Sequence, residues 1–137
     1  VPSVSYTQRT LQALRDQGFV PAMVERHLAR VGSFGIKQDL FGLLDILAFK
    51  PGCPQWRGIQ STGPNGYSSH MATIVHNRHT DGILSTGTVS IELWCWKDTD
   101  GWWPDITVIT PELLARVRAE NRYKKPAKDA GIPECPA

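Results

Sequence analysis

Apolar positions along the chain follow two rhythms. Between Tyr6 and Gln17, Leu11 and Leu14 recur at helical spacing and Gly18 supplies a stop, which predicts a first helix. The stretch TVSIELWCWK alternates instead. Val89, Ile91, Leu93 and Cys95 fall on one face, and Ser90, Glu92, Trp94 and Trp96 on the other, as in a strand. DTDG then reads as a hairpin turn and WWPDITVI as the return strand. Thr110 and Pro111 open a last helix, the Thr as N-cap and the Pro at the first helical position.

The middle of the chain is less regular. A turn is expected from Gly32 to Gly35, followed by a strand over 37–49 that bends or bulges at Gly42. KPGCP is a turn, and Arg57 to Thr62 forms another strand. Gly63, Pro64 and Asn65 break the chain, and Ser68 to His79 predicts a helix with Met71, Ile74 and Val75 turned inward. Residues 18–28 fit two patterns: a helix opening at Pro21, or a strand that Pro21 confines to a sheet edge. With the strand, the order becomes helix, three strands, helix, strand, and then an added strand and helix. That order predicts an α/β sandwich on a mixed sheet.

Composition adds bounds rather than a function. A chain of 137 residues makes one domain, here placed at 1–121, and the Pro-, Gly- and Lys-rich 122–137 reads as a flexible basic tail. No apolar run approaches the ~18 residues that span a membrane. The chain opens on Val without a signal-peptide pattern. Three widely spaced cysteines, Cys53, Cys95 and Cys135, suit thiols in a reducing compartment better than a disulfide framework. A net charge of +2 neither demands nucleic acid nor argues against it.

Chemistry enters with polar residues inside apolar runs. Asp45 stands between Leu44 and Ile46, where burial without a partner would cost several kcal/mol or force protonation. A carboxylate tolerates such a place beside a cation, and Gln60 on the neighbouring strand can offer an oxygen to the same ion. The plainer reading has Asp45 capping a turn or pairing with Arg or Lys.

The stretch DLFGLLDILAF followed by GIQSTG, set between two helices, resembles the PD-(D/E)XK nuclease superfamily, in a Holliday-junction-resolvase-like phage and bacterial branch. The resemblance covers roughly residues 6–97 and implies a restriction-endonuclease-like αβββαβ core. Asp45 matches the family's metal-binding Asp. Gln60 stands where Asp or Glu is usual, Thr62 where Lys is usual, and Glu25 matches an upstream Glu that suits the strand reading of 19–27. These residues imply a catalytic set of Asp45, Gln60 and Thr62, with Asp45, Gln60 and Glu25 around Mg²⁺ or Mn²⁺. The implied activity is metal-dependent endonucleolytic hydrolysis of DNA, including branched DNA, by a homodimer in the cytoplasm of a prokaryotic or phage-infected cell. Lys37, Arg57 and Arg78 are the basic residues expected to contact nucleic acid, with Lys50 a further cation and Asp39 a further acidic candidate.

Two other classes remain open. Gln60 and Thr62 favour a nucleic-acid-binding protein that keeps the fold without catalysis. Trp94, Trp96, Trp102 and Trp103 around one hairpin suit core packing, a base-stacking surface, or the interface of a protein-interaction module. His76 and His79 are spaced to share a zinc ion, but no paired cysteines accompany them.

Overall fold

The computed structural model describes residues 4–30 and 33–123, with 26–30 and 33–37 described by backbone alone. Helix α1, Tyr6–Asp16, starts at Ser5, whose hydroxyl accepts from Gln8 N at 3.1 Å. It ends in a Schellman arrangement: Gly18 N donates to Arg15 O at 3.0 Å and Phe19 N to Leu14 O at 2.9 Å. Gly18 carries the left-handed φ of +86° that this ending requires.

Five strands form a mixed sheet. β1 (Val20–Met23) runs antiparallel to β4 (Ile46–Phe49), which runs antiparallel to β5 (Trp56–Thr62). β5 is parallel to β6 (Val89–Asp98), and β6 pairs antiparallel with β7 (Trp102–Val108). The spatial order is β1-β4-β5-β6-β7, so Pro21 does lie on an edge strand. β2 (Arg26–Arg30) and β3 (Ser33–Gln38) pair with each other in a separate two-stranded sheet.

The crossover from β5 to β6 contains α2 (Tyr67–His76) and α3 (Thr80–Ser85); α4 (Pro111–Ala119) follows β7. The alternation of β6 sorts the core into two layers. Ile91 and Leu93 meet Met71, Ile74 and Val75 of α2 and Leu114 and Val117 of α4. Trp94 and Trp96 meet Leu11 and Leu14 of α1, together with Ile46, Ala48 and Ile59. Both indoles are buried, and Trp96 Nε1 donates to Thr10 Oγ1 at 2.8 Å. The fold is α/β. Among the described residues no helix is long and apolar enough to cross a membrane.

Several expected boundaries need correction. The strand expected over 19–27 divides into β1 and β2, because Val24 and Glu25 leave the five-stranded sheet. Part of the expected turn at Gly32 to Gly35 is strand, since β3 already starts at Ser33. The strand expected over 37–49 is interrupted at 39–45: Phe41 and Gly42 take φ of +58° and +67°, which reverses the chain and bridges Leu40 to Leu44. The helix expected over 68–79 stops at His76. There Asn77 Oδ1 accepts from His79 N at 2.8 Å in an Asx-type turn, and Thr80 Oγ1 donates to Ile74 O at 2.6 Å. The basic tail beyond Tyr123 and Cys135 lie outside the described residues.

One buried ion pair ties β5 to β6 on the α1 side. Arg57 Nε and Nη2 donate to Glu92 Oε2 and Oε1 at 2.9 and 2.5 Å, and Ser90 Oγ and Trp94 Nε1 complete the carboxylate's shell at 2.6 and 3.0 Å. Burial pushes the Glu92 carboxyl up, but the bonds from Arg57, Ser90 and Trp94 outweigh it and hold the group below its ordinary 4.5. With a depressed folded value, the pair stabilises the fold above about pH 4.5, and that contribution fades as pH falls through the lower folded value. Arg57→Met strands a buried carboxylate and is expected to lower unfolding free energy by about 3–5 kcal/mol, part of which Glu92→Gln restores in the double variant. Urea unfolding across pH checks both points. Glu92→Gln should flatten the acid limb, and an unchanged limb would contradict the assignment.

Candidate metal centre

Three carboxylates meet where the chain leaves the five-stranded sheet and returns to it. One oxygen each from Glu25, Asp39 and Asp45 lies within 4.8 Å of the others. Local geometry explains the meeting. Arg26 pairs with Gln38 at the base of the β2–β3 hairpin, so Glu25 and Asp39 are the next residues on either side. The turn at Phe41–Gly42 then folds Leu40 onto Leu44: Leu43 N donates to Leu40 O at 2.9 Å and Leu40 N to Leu44 O at 3.0 Å. Asp39 and Asp45 flank that closed loop. Val24 N donates to Asp45 O at 2.8 Å and Asp45 N to Ile59 O at 3.0 Å, which anchors Asp45 between β1 and β5.

The loop is held down at two places. Leu44 packs over Gly58, where an added Cβ would stand 2.9 Å from the leucine side chain and 2.8 Å from Ser90 O. Asn77 Nδ2 donates to Phe41 O at 3.1 Å. A bulky residue with positive φ is uncommon and costs on the order of 1 kcal/mol, so the Phe41 conformation depends on these anchors.

Asp45 is 1% exposed, and its Oδ2 accepts from Ser61 N at 3.1 Å. Asp39 Oδ1 is buried and accepts no hydrogen bond. Like charges this close repel one another, the more so where burial limits solvent screening. Such a group suits a divalent cation. Oxygens on one Mg²⁺ at about 2.1 Å stand at most about 4.2 Å apart, so carboxylates already this close need only small side-chain movements to hold one.

The β5 residues are placed differently. Gln60, 1% exposed, donates from Nε2 to Leu43 O and accepts at Oε1 from His70 Nδ1 at 2.9 Å. A glutamate here would set an acceptor against the Leu43 carbonyl, which gives this position a structural reason to carry an amide. Thr62 is buried, its hydroxyl donating to Gly63 O at 3.1 Å and filling the space a side chain at Gly66 would need. Among the expected basic residues, Arg57 is engaged by Glu92 on the α1 side, its guanidinium also 5.0 Å from the centre of the Phe19 ring. Lys50 reaches over the same ring from 5.6 Å. Arg78 Nε donates to His79 Nε2 at 3.3 Å on the α2–α3 connection. The Lys37 side chain lies outside the described residues.

The histidines do not converge. His76 Nε2 donates to Tyr123 O at 2.7 Å, whereas His79 faces Arg78 and Phe41. Comparison of the chain with protein-family models, with curated proteins and with solved structures finds no match.

The carboxylate group generates a direct test. In a chelator, Asp39→Asn should be neutral or stabilising by up to about 1 kcal/mol, because it removes like-charge repulsion. Mn²⁺ at about 100 times its Kd should raise wild-type unfolding free energy by about 2.7 kcal/mol. Asp39→Asn and Asp45→Asn should forfeit most of that gain in thermal unfolding with and without Mn²⁺. Equal stabilisation of all three proteins would place the cation elsewhere.

Proposed function

We propose that the chain is a divalent-cation-dependent nuclease of PD-(D/E)XK type that hydrolyses phosphodiester bonds in DNA. The observation that carries this reading is the convergence of Glu25, Asp39 and Asp45 at the joined ends of β1, β4 and the β2–β3 hairpin. The order α1, β1, β4, β5, α2, β6 supports it: three antiparallel strands, a helical crossover and a parallel strand follow the core expected from the resemblance.

Mg²⁺ or Mn²⁺ would supply Lewis acidity and a more acidic water at neutral pH. Within the chain, Asp45 is held in place by Ser61 N, and the buried Oδ1 of Asp39 accepts no hydrogen bond and would be open to the cation. Gln60 and His70 form a hydrogen-bonded wall beside Leu43 and bring no further negative charge. Thr62 supplies no cation for the developing phosphorane charge. Lys37, two residues before Asp39 on β3, is the proposed replacement, since Arg57 is already paired. Branched DNA as substrate and a homodimer as functional unit belong to the same proposal.

A second reading has its own observation. The side-chain polar groups of Gln60 and Thr62 are bonded internally, as suits a nucleic-acid-binding protein of the same fold without catalysis. Linear, single-stranded and four-way-junction DNA, each with and without Mg²⁺ or Mn²⁺, distinguish the two. The nuclease cleaves only with metal, and Asp45→Asn loses about 10²-fold or more in rate. If the wild type binds DNA with steep salt dependence yet leaves it intact, the binder is correct. Cleavage by Asp45→Asn at the wild-type rate would remove the site assignment.

A further inference from the structure

We propose that the groove beside Phe41 holds an unpaired nucleobase of the nucleic acid whose backbone sits at the carboxylates. This rests on the nucleic-acid reading of that cluster and adds to it a base-stacking subsite. Phe41 is 57% exposed although it stands on a turn otherwise anchored at both ends. Its ring lies 5.7 Å from that of His79, tilted by 57°. Arg78, Gly82, Ile83 and Thr86 complete a groove of about 230 Å³.

The lining selects the occupant. The wall is mostly apolar, and what sets it apart is the pair of aromatic rings, Phe41 and His79, with Arg78 at their side. Flat π-systems stack on such rings, and planar Arg cations add to the attraction. The volume lies below the ~300 Å³ of ordinary small-molecule pockets, which leaves room for one flat ring system and not a whole nucleotide. Arg78 and the rings therefore suit the base, while its phosphate lies outside.

Position selects which base. Phe41 follows Asp39 by two residues, so their Cα atoms stand within about 7 Å. Groove and carboxylates share one turn, and the base is assigned to a nucleotide near the phosphate at the carboxylates. It must be unpaired, because a base within a duplex has its faces covered by its neighbours. The left-handed φ of +58° at Phe41 acquires a role in this arrangement, since it holds the ring at the tip of the turn.

Fluorescence anisotropy in EDTA tests the subsite without requiring cleavage. The probes are a labelled single strand, the same strand with abasic sites, and the corresponding duplex. Asn tolerates positive φ, so Phe41→Asn removes the ring without forcing the turn open, and unfolding curves verify that it folds. Phe41→Asn should bind the single strand about tenfold or more weakly, Phe41→Tyr should bind like the wild type, and the duplex should show little change. The abasic strand should erase the difference between wild type and Phe41→Asn. Equal single-strand affinity for Phe41→Asn, a loss that persists on the abasic strand, or no binding of any probe at low salt would overturn the proposal.

A parallel assay with Mn²⁺ separates this from the nuclease reading. Ring-dependent binding without cleavage upholds the groove and removes the enzyme. Cleavage and binding that ignore Phe41 uphold the enzyme and remove the groove.

Discussion

A single reversal of the chain makes the site. Phe41 and Gly42 both adopt positive φ, Leu40 bridges to Leu44, and Asp39 and Asp45 are left on either side of a closed loop. Without that turn, residues 38–46 would run on as an extended strand, and two residues six apart would be separated by about 20 Å. The turn holds because Leu44 occupies the space that Gly58 leaves open and Asn77 binds the Phe41 carbonyl. A glycine in β5 and an asparagine after α2 thus determine where two carboxylates stand.

The two faces of β5 handle buried polarity in opposite ways. Towards α1, Arg57 neutralises Glu92, and Ser90 and Trp94 saturate the carboxylate, which makes the pair a fastener between parallel strands. Towards α2, Gln60 is a neutral amide matched to a carbonyl and an imidazole, while the nearby carboxylates gather around Asp45. Desolvating a carboxylate is tolerable where a guanidinium meets it at both oxygens. Crowding three carboxylates is tolerable where a cation can join them. The first arrangement stabilises the fold, and the second leaves three oxygens close enough to share a cation.

Much of the architecture was legible in the amino-acid pattern. The period-two alternation of β6 separated Ile91 and Leu93 from Trp94 and Trp96, and the structure buries the two sets in different layers. Ser68 to His79 revealed a helix but not its interruption, because Asn77 and Thr80 act through hydrogen bonds that have no periodicity. The Arg57–Glu92 pair carried no signal either. The residues are 35 positions apart, and only the parallel register of β5 on β6 makes them neighbours.

The sequence by itself determined the succession of α1, β5, α2, β6, β7 and α4 and the unusual placing of Asp45 in an apolar run, while it left 18–28 open between a helix and an edge strand. These follow from local rules, in which side-chain period, capping residues and missing N–H groups act over a few residues. Only the tertiary structure decided that Asp39 joins Glu25 and Asp45, that Gln60 is spoken for by Leu43 and His70, and that Phe41 stays exposed. Each of these depends on the direction of one short turn and the strand it packs on. Left-handed φ at a phenylalanine is a local penalty that the sequence discourages, and distant contacts with Gly58 and Asn77 outweigh it.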